Sequence, residues 1–128
     1  MSKLLSLRPI LAIDAATCAV MGLALDFTAQ PLAALTGLPA PLLLYAGIGL
    51  LPIAAFMALV AWRPHPAAVR LVVIGNAAWV AASLALPVSG WVDPTALGIG
   101  FVLVQALAVA GLAMLEHAAL KIARPQAA

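Results

Sequence analysis

Residues 9–27 of the chain read PILAIDAATCAVMGLALDF, an almost wholly apolar run that carries a carboxyl group, Asp14, in its first half. A helix needs about 20 apolar residues to cross the hydrocarbon core of a bilayer, so this stretch predicts a transmembrane helix. A carboxylate at that depth costs about 2.5–3.5 kcal/mol on insertion scales. The rest of the chain must therefore supply Asp14 with a partner, a proton or a water-lined path.

The composition of the whole chain indicates an integral membrane protein. Of its 128 residues, 66% are hydrophobic and only 8% are charged, and the mean hydropathy is +1.20. Ordinary soluble domains carry about 25% charged residues, so this chain lacks the polar side chains to cover a soluble surface. We therefore expect a single all-α transmembrane domain. The basic residues are few and dispersed, which argues against nucleic acid as a partner.

The positions of proline, glycine and charged residues divide the chain into four predicted transmembrane helices. These are residues 9–30, 42–62, 67–87 and 94–122, with a short interfacial segment at 31–41 between the first two. Pro31 is expected to end the first helix, and Asp93 with Pro94 is expected to begin the fourth, as N-cap and first helical residue. Because the connections are short, we predict an up-down-up-down four-helix bundle.

The distribution of basic residues predicts how this bundle is oriented. All of them lie before the first helix, around the second connection or at the end of the fourth helix: Lys3, Arg8, Arg63, Arg70, Lys121 and Arg124. The other two connections carry no basic residue. Cytoplasmic segments of membrane proteins are enriched in Lys and Arg, so we expect both termini and the second connection in the cytoplasm.

Three polar side chains within the predicted helices are expected to lie at a similar depth, in the cytoplasmic half of the membrane. Each is five or six residues from a basic residue that marks the cytoplasmic boundary, and at 1.5 Å per residue these separations are nearly equal. The three are Asp14, Asn76 and Glu116. Gln105 lies three helical turns before Glu116, on the same face and nearer the middle of the membrane.

Two roles for Asp14 remain open at this stage. It is either a proton carrier or ligand carboxylate, or a protonated side chain that clamps the bundle by bonding to Asn76 or a backbone carbonyl. Asn76 is interpreted as a helix-bridging amide, a common use of such residues in membranes, and Trp79 as a packing residue. Glu116 is interpreted as part of an interfacial charge cluster with Lys121 and Arg124.

No metal site or cofactor is expected. His65 and His117 are the only histidines, and neither belongs to a recognised ligand spacing. The single cysteine, Cys18, is most simply a small core residue. On the first helix, Asp14, Cys18, Gly22 and Asp26 recur at four-residue spacing, and such a face of small and polar residues is what a transmembrane helix presents to other helices.

Four short stretches of the chain support a comparison with known sequences. They are LAIDA at 11–15, PLAALTGLP at 31–39, GNAAWV at 75–80 and SGWVDPTALG at 89–98. In these stretches the chain resembles uncharacterised small four-span proteins of high-GC bacteria. The resemblance covers most of the chain and implies a multi-pass protein of the bacterial inner membrane, but it implies no activity.

The chain also resembles the small multidrug resistance transporters in its size, in its number of helices and in carrying an acidic residue in its first span. The pattern that surrounds their first-span glutamate is absent around Asp14, and the glycine-rich signature of their third span is absent from residues 70–87. This second resemblance is confined to those three general features.

The sequence favours a non-enzymatic role, because it contains no Ser-His-Asp set and no phosphate-binding glycine loop. The first hypothesis is an accessory subunit or self-associating scaffold built on helix–helix contacts, with lipid and either copies of itself or a larger membrane complex as partners. The alternative is a small proton-coupled transporter or permeation protein in which Asp14 titrates. A lipid-acting enzyme that uses Glu116 and His117 at headgroup depth is a third hypothesis.

Overall fold

The computed structural model describes the backbone of residues 7–127 and the side chains of residues 7–122. Its elements are α1 (Leu7–Phe27), α2 (Ala29–Thr36), α3 (Ala40–Trp62), α4 (Pro66–Ala85), a 3₁₀ turn (Leu86–Val88) and α5 (Ala96–Ala127). Four of these helical segments are long and apolar enough to cross a membrane: Leu7–Phe27, Ala40–Trp62, Pro66–Val88 and Ala96–Ile122. The all-helical prediction is therefore confirmed for the described residues, and the four helices are those of a multi-pass membrane protein.

The connection between the first two long helices differs from the prediction. The first helix ends at Phe27 rather than near residue 30, and Pro31 does not end it, because Pro31 lies inside the first turn of α2. A proline is tolerated there, since the first backbone N–H groups of a helix have no partner within the helix. The predicted short interfacial segment at 31–41 therefore begins within an eight-residue helix, which ends at Thr36 and is capped by Gly37 in a left-handed conformation (φ 74°).

The start of the fourth long helix was assigned to the wrong residue. Asp93 is exposed and does not cap α5. The N-cap is Thr95, whose Oγ1 accepts a hydrogen bond from the Gly98 N–H over 3.1 Å. Contacts with α2 hold Thr95 in place, because its N–H donates to the Thr36 carbonyl over 2.9 Å and its hydroxyl donates to the Leu35 carbonyl over 2.7 Å. At its other end α5 continues to Ala127, beyond the predicted residue 122.

The long helices pack as two pairs. Helix α1 lies along α3, and α4 lies along α5, while the two pairs meet less extensively along α1 and α5. Helices α3 and α4 are consecutive in the chain yet make few contacts. The turn between them contains two prolines, Pro64 and Pro66, and a residue that precedes a proline is pushed towards extended backbone. His65 is accordingly extended, so the two helices diverge from the turn.

Small residues set the spacing of the α1/α3 pair. The buried residues of α3 recur at intervals of three or four: Leu43, Gly47, Leu50, Ala54, Met57 and Val60. Gly47 lies directly under Gly22 and Asp26 of α1, so closely that an added Cβ would collide with the Gly22 carbonyl oxygen and with Asp26 Oδ1. Gly22 and Asp26 belong to the predicted small and polar face of α1, which therefore lies against α3.

All four long helices meet at the end of the bundle where α1 starts. The apolar cluster there is formed by Leu7, Leu11, Ala15, Met57, Val60, Val69, Val72 and Leu120. At its edge, Arg8 Nη2 donates a hydrogen bond to the Trp62 carbonyl over 2.7 Å, which places the start of α1 beside the end of α3. The Arg63 guanidinium lies 5.6 Å from the centre of the Trp62 ring. Of the other basic residues, Lys3 and the side chain of Arg124 lie outside the described part of the chain.

Candidate functional site: a buried cluster of two carboxyl groups and an amide

Three polar side chains from three helices join in the interior of the bundle. Asn76 Nδ2 donates one hydrogen bond to Asp14 Oδ2 over 2.7 Å and a second to Glu116 Oε1 over 3.0 Å. The relative exposures of Asp14, Asn76 and Glu116 are 1%, 4% and 0%. The sequence predicted a similar depth for these three side chains, and the structure brings them into direct contact.

Each member of this cluster occupies a position that packing would otherwise give to an apolar residue. Asp14 follows the buried Leu11 by three residues, and Asn76 follows the buried Val72 by four. Glu116 lies between two further core residues of α5, Ala113 and Leu120, at helical spacing. The three helices therefore point these side chains inward by the same periodicity that buries their apolar neighbours.

The burial of Glu116 corrects the interpretation of this residue. Glu116 was expected at the membrane interface beside Lys121 and Arg124, but it is fully buried and bonded to Asn76. Lys121 is exposed. The count from the basic residue placed Glu116 level with Asn76, which agrees with their hydrogen bond, and the error lay in assuming that a glutamate at this level faces outward.

The four carboxyl oxygens of the cluster are unequally bonded. Asp14 Oδ2 and Glu116 Oε1 each accept from Asn76, and the Cys18 thiol lies 3.9 Å from Asp14 Oδ1 in donor geometry. Glu116 Oε2 is buried and has no hydrogen-bond partner among the described residues. Asp14 Oδ2 and Glu116 Oε1 are both bonded to the same nitrogen, Asn76 Nδ2, so the two carboxyl groups are close neighbours. A proton on either carboxyl group would turn one of its oxygens from an acceptor into a donor.

Gln105, the fourth predicted site residue, is not part of this cluster. Its Oε1 accepts a hydrogen bond from Trp79 Nε1 over 2.8 Å, and its Nε2 donates to the Val102 carbonyl over 2.9 Å. Trp79, which was expected only to pack, is therefore also a hydrogen-bond donor. The sequence feature that could have predicted this bond is the indole N–H itself, because a buried indole N–H usually finds an acceptor.

Two cavities border the cluster on different sides. The larger, of about 720 Å³, lies between α1 and α5 and is lined by Asp14, Trp79 and Gln105 among mostly apolar side chains. The smaller, of about 270 Å³, lies between α1, α3 and α4 and is lined by Asn76. Cys18 and Trp79 line both cavities. Asp14 therefore borders the larger cavity and Asn76 the smaller one, whereas Glu116 is sealed in the packed interior.

The histidines lie apart from this site. His65 Nδ1 accepts a hydrogen bond from the Ala67 N–H over 3.2 Å and so caps the start of α4, and His117 is exposed. Among the described residues, no group of three or more His, Cys, Asp or Glu side chains is arranged to hold a metal ion.

Comparison of the chain with known protein families, with curated proteins and with solved structures finds no match.

Proposed function

We propose that the protein is a non-enzymatic membrane protein that works as a small proton-coupled transporter or permeation protein, with the Asp14 cluster as its proton-binding site. The observation that carries this proposal is the pair of buried carboxyl groups held on one amide, one of which borders a cavity of about 720 Å³. Buried pairs of titratable groups are a common way to place a proton for use at neutral pH.

The alternative role, a structural clamp, explains less of the cluster. A clamp between helices needs only one carboxyl group to accept from Asn76. A side-chain hydrogen bond between membrane helices contributes about 0.6 kcal/mol, so a second bond to Glu116 adds little to a clamp. Glu116 also brings a group that costs about 2.5–3.5 kcal/mol within the membrane whenever it ionises. A proton-binding role accounts for both carboxyl groups.

We further propose that the four spans form an up-down-up-down bundle in the bacterial inner membrane, with both termini in the cytoplasm. The contact of Arg8 with the Trp62 carbonyl supports this arrangement, because it joins the start of α1 to the end of α3. Arg63 at the same end fits the enrichment of basic residues on the cytoplasmic side. Reporter domains fused to either terminus should be active only in the cytoplasm, and a periplasmic signal from one terminus would contradict the topology.

Proton flux in vesicles tests the proposed function. Purified protein is reconstituted into liposomes that contain a pH-sensitive dye, and a potassium diffusion potential provides the driving force. We expect wild-type vesicles to show proton flux, Asp14→Asn vesicles to show none, and vesicles with Asp93→Asn, a change at an exposed carboxyl, to match the wild type. Equal flux in wild-type, Asp14→Asn and empty vesicles would contradict the proposal.

A second candidate function, an accessory subunit or self-associating scaffold, is favoured by a different observation. The two helix pairs make few contacts with each other beyond those along α1 and α5, and the groove there exposes small residues such as Ala96, Gly100 and Ala108. Small residues let a further helix approach closely in a membrane. Protein extracted in mild detergent should then run as an oligomer or with a partner. A strictly monomeric particle would count against this candidate.

A further inference from the structure

We propose that Asp14 and Glu116 hold a single proton between them, that Asn76 is the positioning residue of this pair, and that the proton exchanges only through Asp14 by way of the cavity between α1 and α5. This inference deepens the proposed function by naming the second carboxyl and the exchange route. It rests on the proposed function only in assuming that the proton serves transport or permeation.

The hydrogen-bond inventory of the cluster supports one shared proton. The two N–H bonds of the Asn76 amide group point at different carboxyl groups, so Asp14 Oδ2 and Glu116 Oε1 both lie within 3.0 Å of one nitrogen. Carboxylates this close repel each other when both are ionised. Glu116 Oε2 has no donor among the described residues although Glu116 is fully buried. One proton on the pair leaves at most one of the two carboxyl groups charged and so removes the repulsion.

The surrounding helices provide no competing charge in the interior. On α1 the neighbouring titratable group is the Cys18 thiol, and α3 contributes apolar side chains such as Met57 and Val60. Arg70 of α4 is exposed, as are His117 and Lys121 of α5. Among the described side chains, no charged group other than the two carboxyl groups therefore lies beside the proton of the pair.

The two carboxyl groups differ in their access to the outside. Asp14 lines the larger cavity, which follows α5 from Ala96 to Leu112, a distance of about 24 Å along a helix. Glu116 has no exposed surface. A small molecule or water chain in this cavity therefore reaches Asp14 and does not reach Glu116.

Carbodiimide labelling of the full-length protein tests this assignment. The carboxylic acid adds across a C=N bond of dicyclohexylcarbodiimide, so that a C–O bond forms, the acid proton moves to nitrogen, and a shift of the acyl group to nitrogen leaves a stable N-acylurea. The reaction needs a protonated carboxyl and, with this reagent, an apolar path. The chain has only four Asp and Glu side chains, which are Asp14, Asp26, Asp93 and Glu116, so peptide mass mapping assigns the label without ambiguity.

We expect one label per chain, on Asp14 and not on Glu116, and we expect labelling to fall as the pH rises. Asp93, which is exposed, should react with a water-soluble carbodiimide instead, and this reaction is the positive control for that reagent. Label on Glu116, equal label on both residues, or no label on either at any pH would overturn the proposal. All of these outcomes are read from the wild-type protein, so they do not depend on whether a variant folds.

Two variants test the sharing of the proton. In Glu116→Gln the neighbouring carboxyl group is replaced by an amide that cannot ionise, so the pH at which half of the Asp14 label is lost should move. Asn76→Ser should also move this pH midpoint, whereas a merely structural role for Asn76 would change thermal stability and leave the midpoint in place. An unchanged midpoint in both folded variants would overturn the shared proton. Labelling needs no proton gradient, so it tests the shared proton separately from the vesicle assay, which tests transport.

Discussion

Trp79 Nε1 lies 2.8 Å from Gln105 Oε1 and donates to it a hydrogen bond that joins α4 to α5. Both side chains line the cavity that Asp14 borders. The bond therefore fixes one wall of the candidate site as well as the packing of the two helices.

Trp79→Phe should lower the unfolding free energy, because it leaves the Gln105 carbonyl oxygen without its donor. Interhelical hydrogen bonds in membrane proteins contribute about 0.6 kcal/mol on average and up to about 1.7 kcal/mol, and we expect a loss in that range from the bond. A double-mutant cycle with Gln105→Leu, measured by denaturation in detergent, isolates this coupling.

Trp91→Phe is the matched control for this change. Trp91 is 88% exposed, so the same substitution there should leave stability unchanged. If Trp79→Phe and Trp91→Phe had equal effects, or if the cycle with Gln105→Leu gave no coupling energy, the hydrogen bond would not contribute to the fold.

Gly98→Ala should destabilise the start of α5. A Cβ at Gly98 would collide with the backbone carbonyl of Thr36, and backbone cannot move aside as a flexible side chain can. Overpacking of this kind costs about 1–3 kcal/mol. Gly100→Ala makes the same chemical change two residues away, where a Cβ meets nothing within 4 Å. Thermal unfolding should separate the two variants, and equal melting temperatures would contradict the close approach of α2 to α5.

Thr95→Ala should destabilise the protein more than Asp93→Ala does. Thr95 Oγ1 accepts from the Gly98 N–H and its hydroxyl donates to the Leu35 carbonyl, so alanine removes both a helix cap and a tie to α2. Loss of an N-cap alone costs about 1 kcal/mol. Asp93 is exposed and makes neither bond. A larger loss of stability from Asp93→Ala in the same unfolding measurement would indicate that Asp93, not Thr95, caps the helix.

The sequence predicted the apolar helices well because their signal is local. A run of apolar residues of spanning length needs no knowledge of its neighbours, and the similar level of Asp14, Asn76 and Glu116 followed from counting residues to a basic marker. The start of α5 was missed because a distant contact decides it. Asp93 and Pro94 fit a helix start by themselves, yet the bonds of Thr95 to α2 place the cap two residues later.

The polar pairing within the bundle was only half predictable. Trp79 lies three residues from Asn76, whereas Gln105 lies eleven residues from Glu116. A count of residues along the two helices therefore does not bring Trp79 and Gln105 together. The reach of a long side chain decides that contact. The weak packing of α3 against α4 was also not predicted, because helices joined by a short connection were expected to pack against each other.

Asn76→Val should destabilise the bundle to an extent that depends on pH. The variant removes the amide that donates to both Asp14 and Glu116, and buried acceptors without a donor cost about 1–3 kcal/mol, with more for charged groups. At low pH both carboxyl groups carry protons and can bond to each other. As the pH rises they ionise in apolar surroundings, so the melting temperature of Asn76→Val should fall further below that of the wild type.

The double variant Asp14→Asn, Glu116→Gln is the control for this pH dependence. It keeps the size and polarity of the cluster but has no proton to lose, so adding Asn76→Val to it should lower the melting temperature by an amount that is independent of pH. If Asn76→Val lost the same stability at every pH in the wild-type background, the two carboxyl groups would not ionise within the folded protein. The cluster would then act as a fixed hydrogen-bonded clamp, and the transport proposal would lose its proton site.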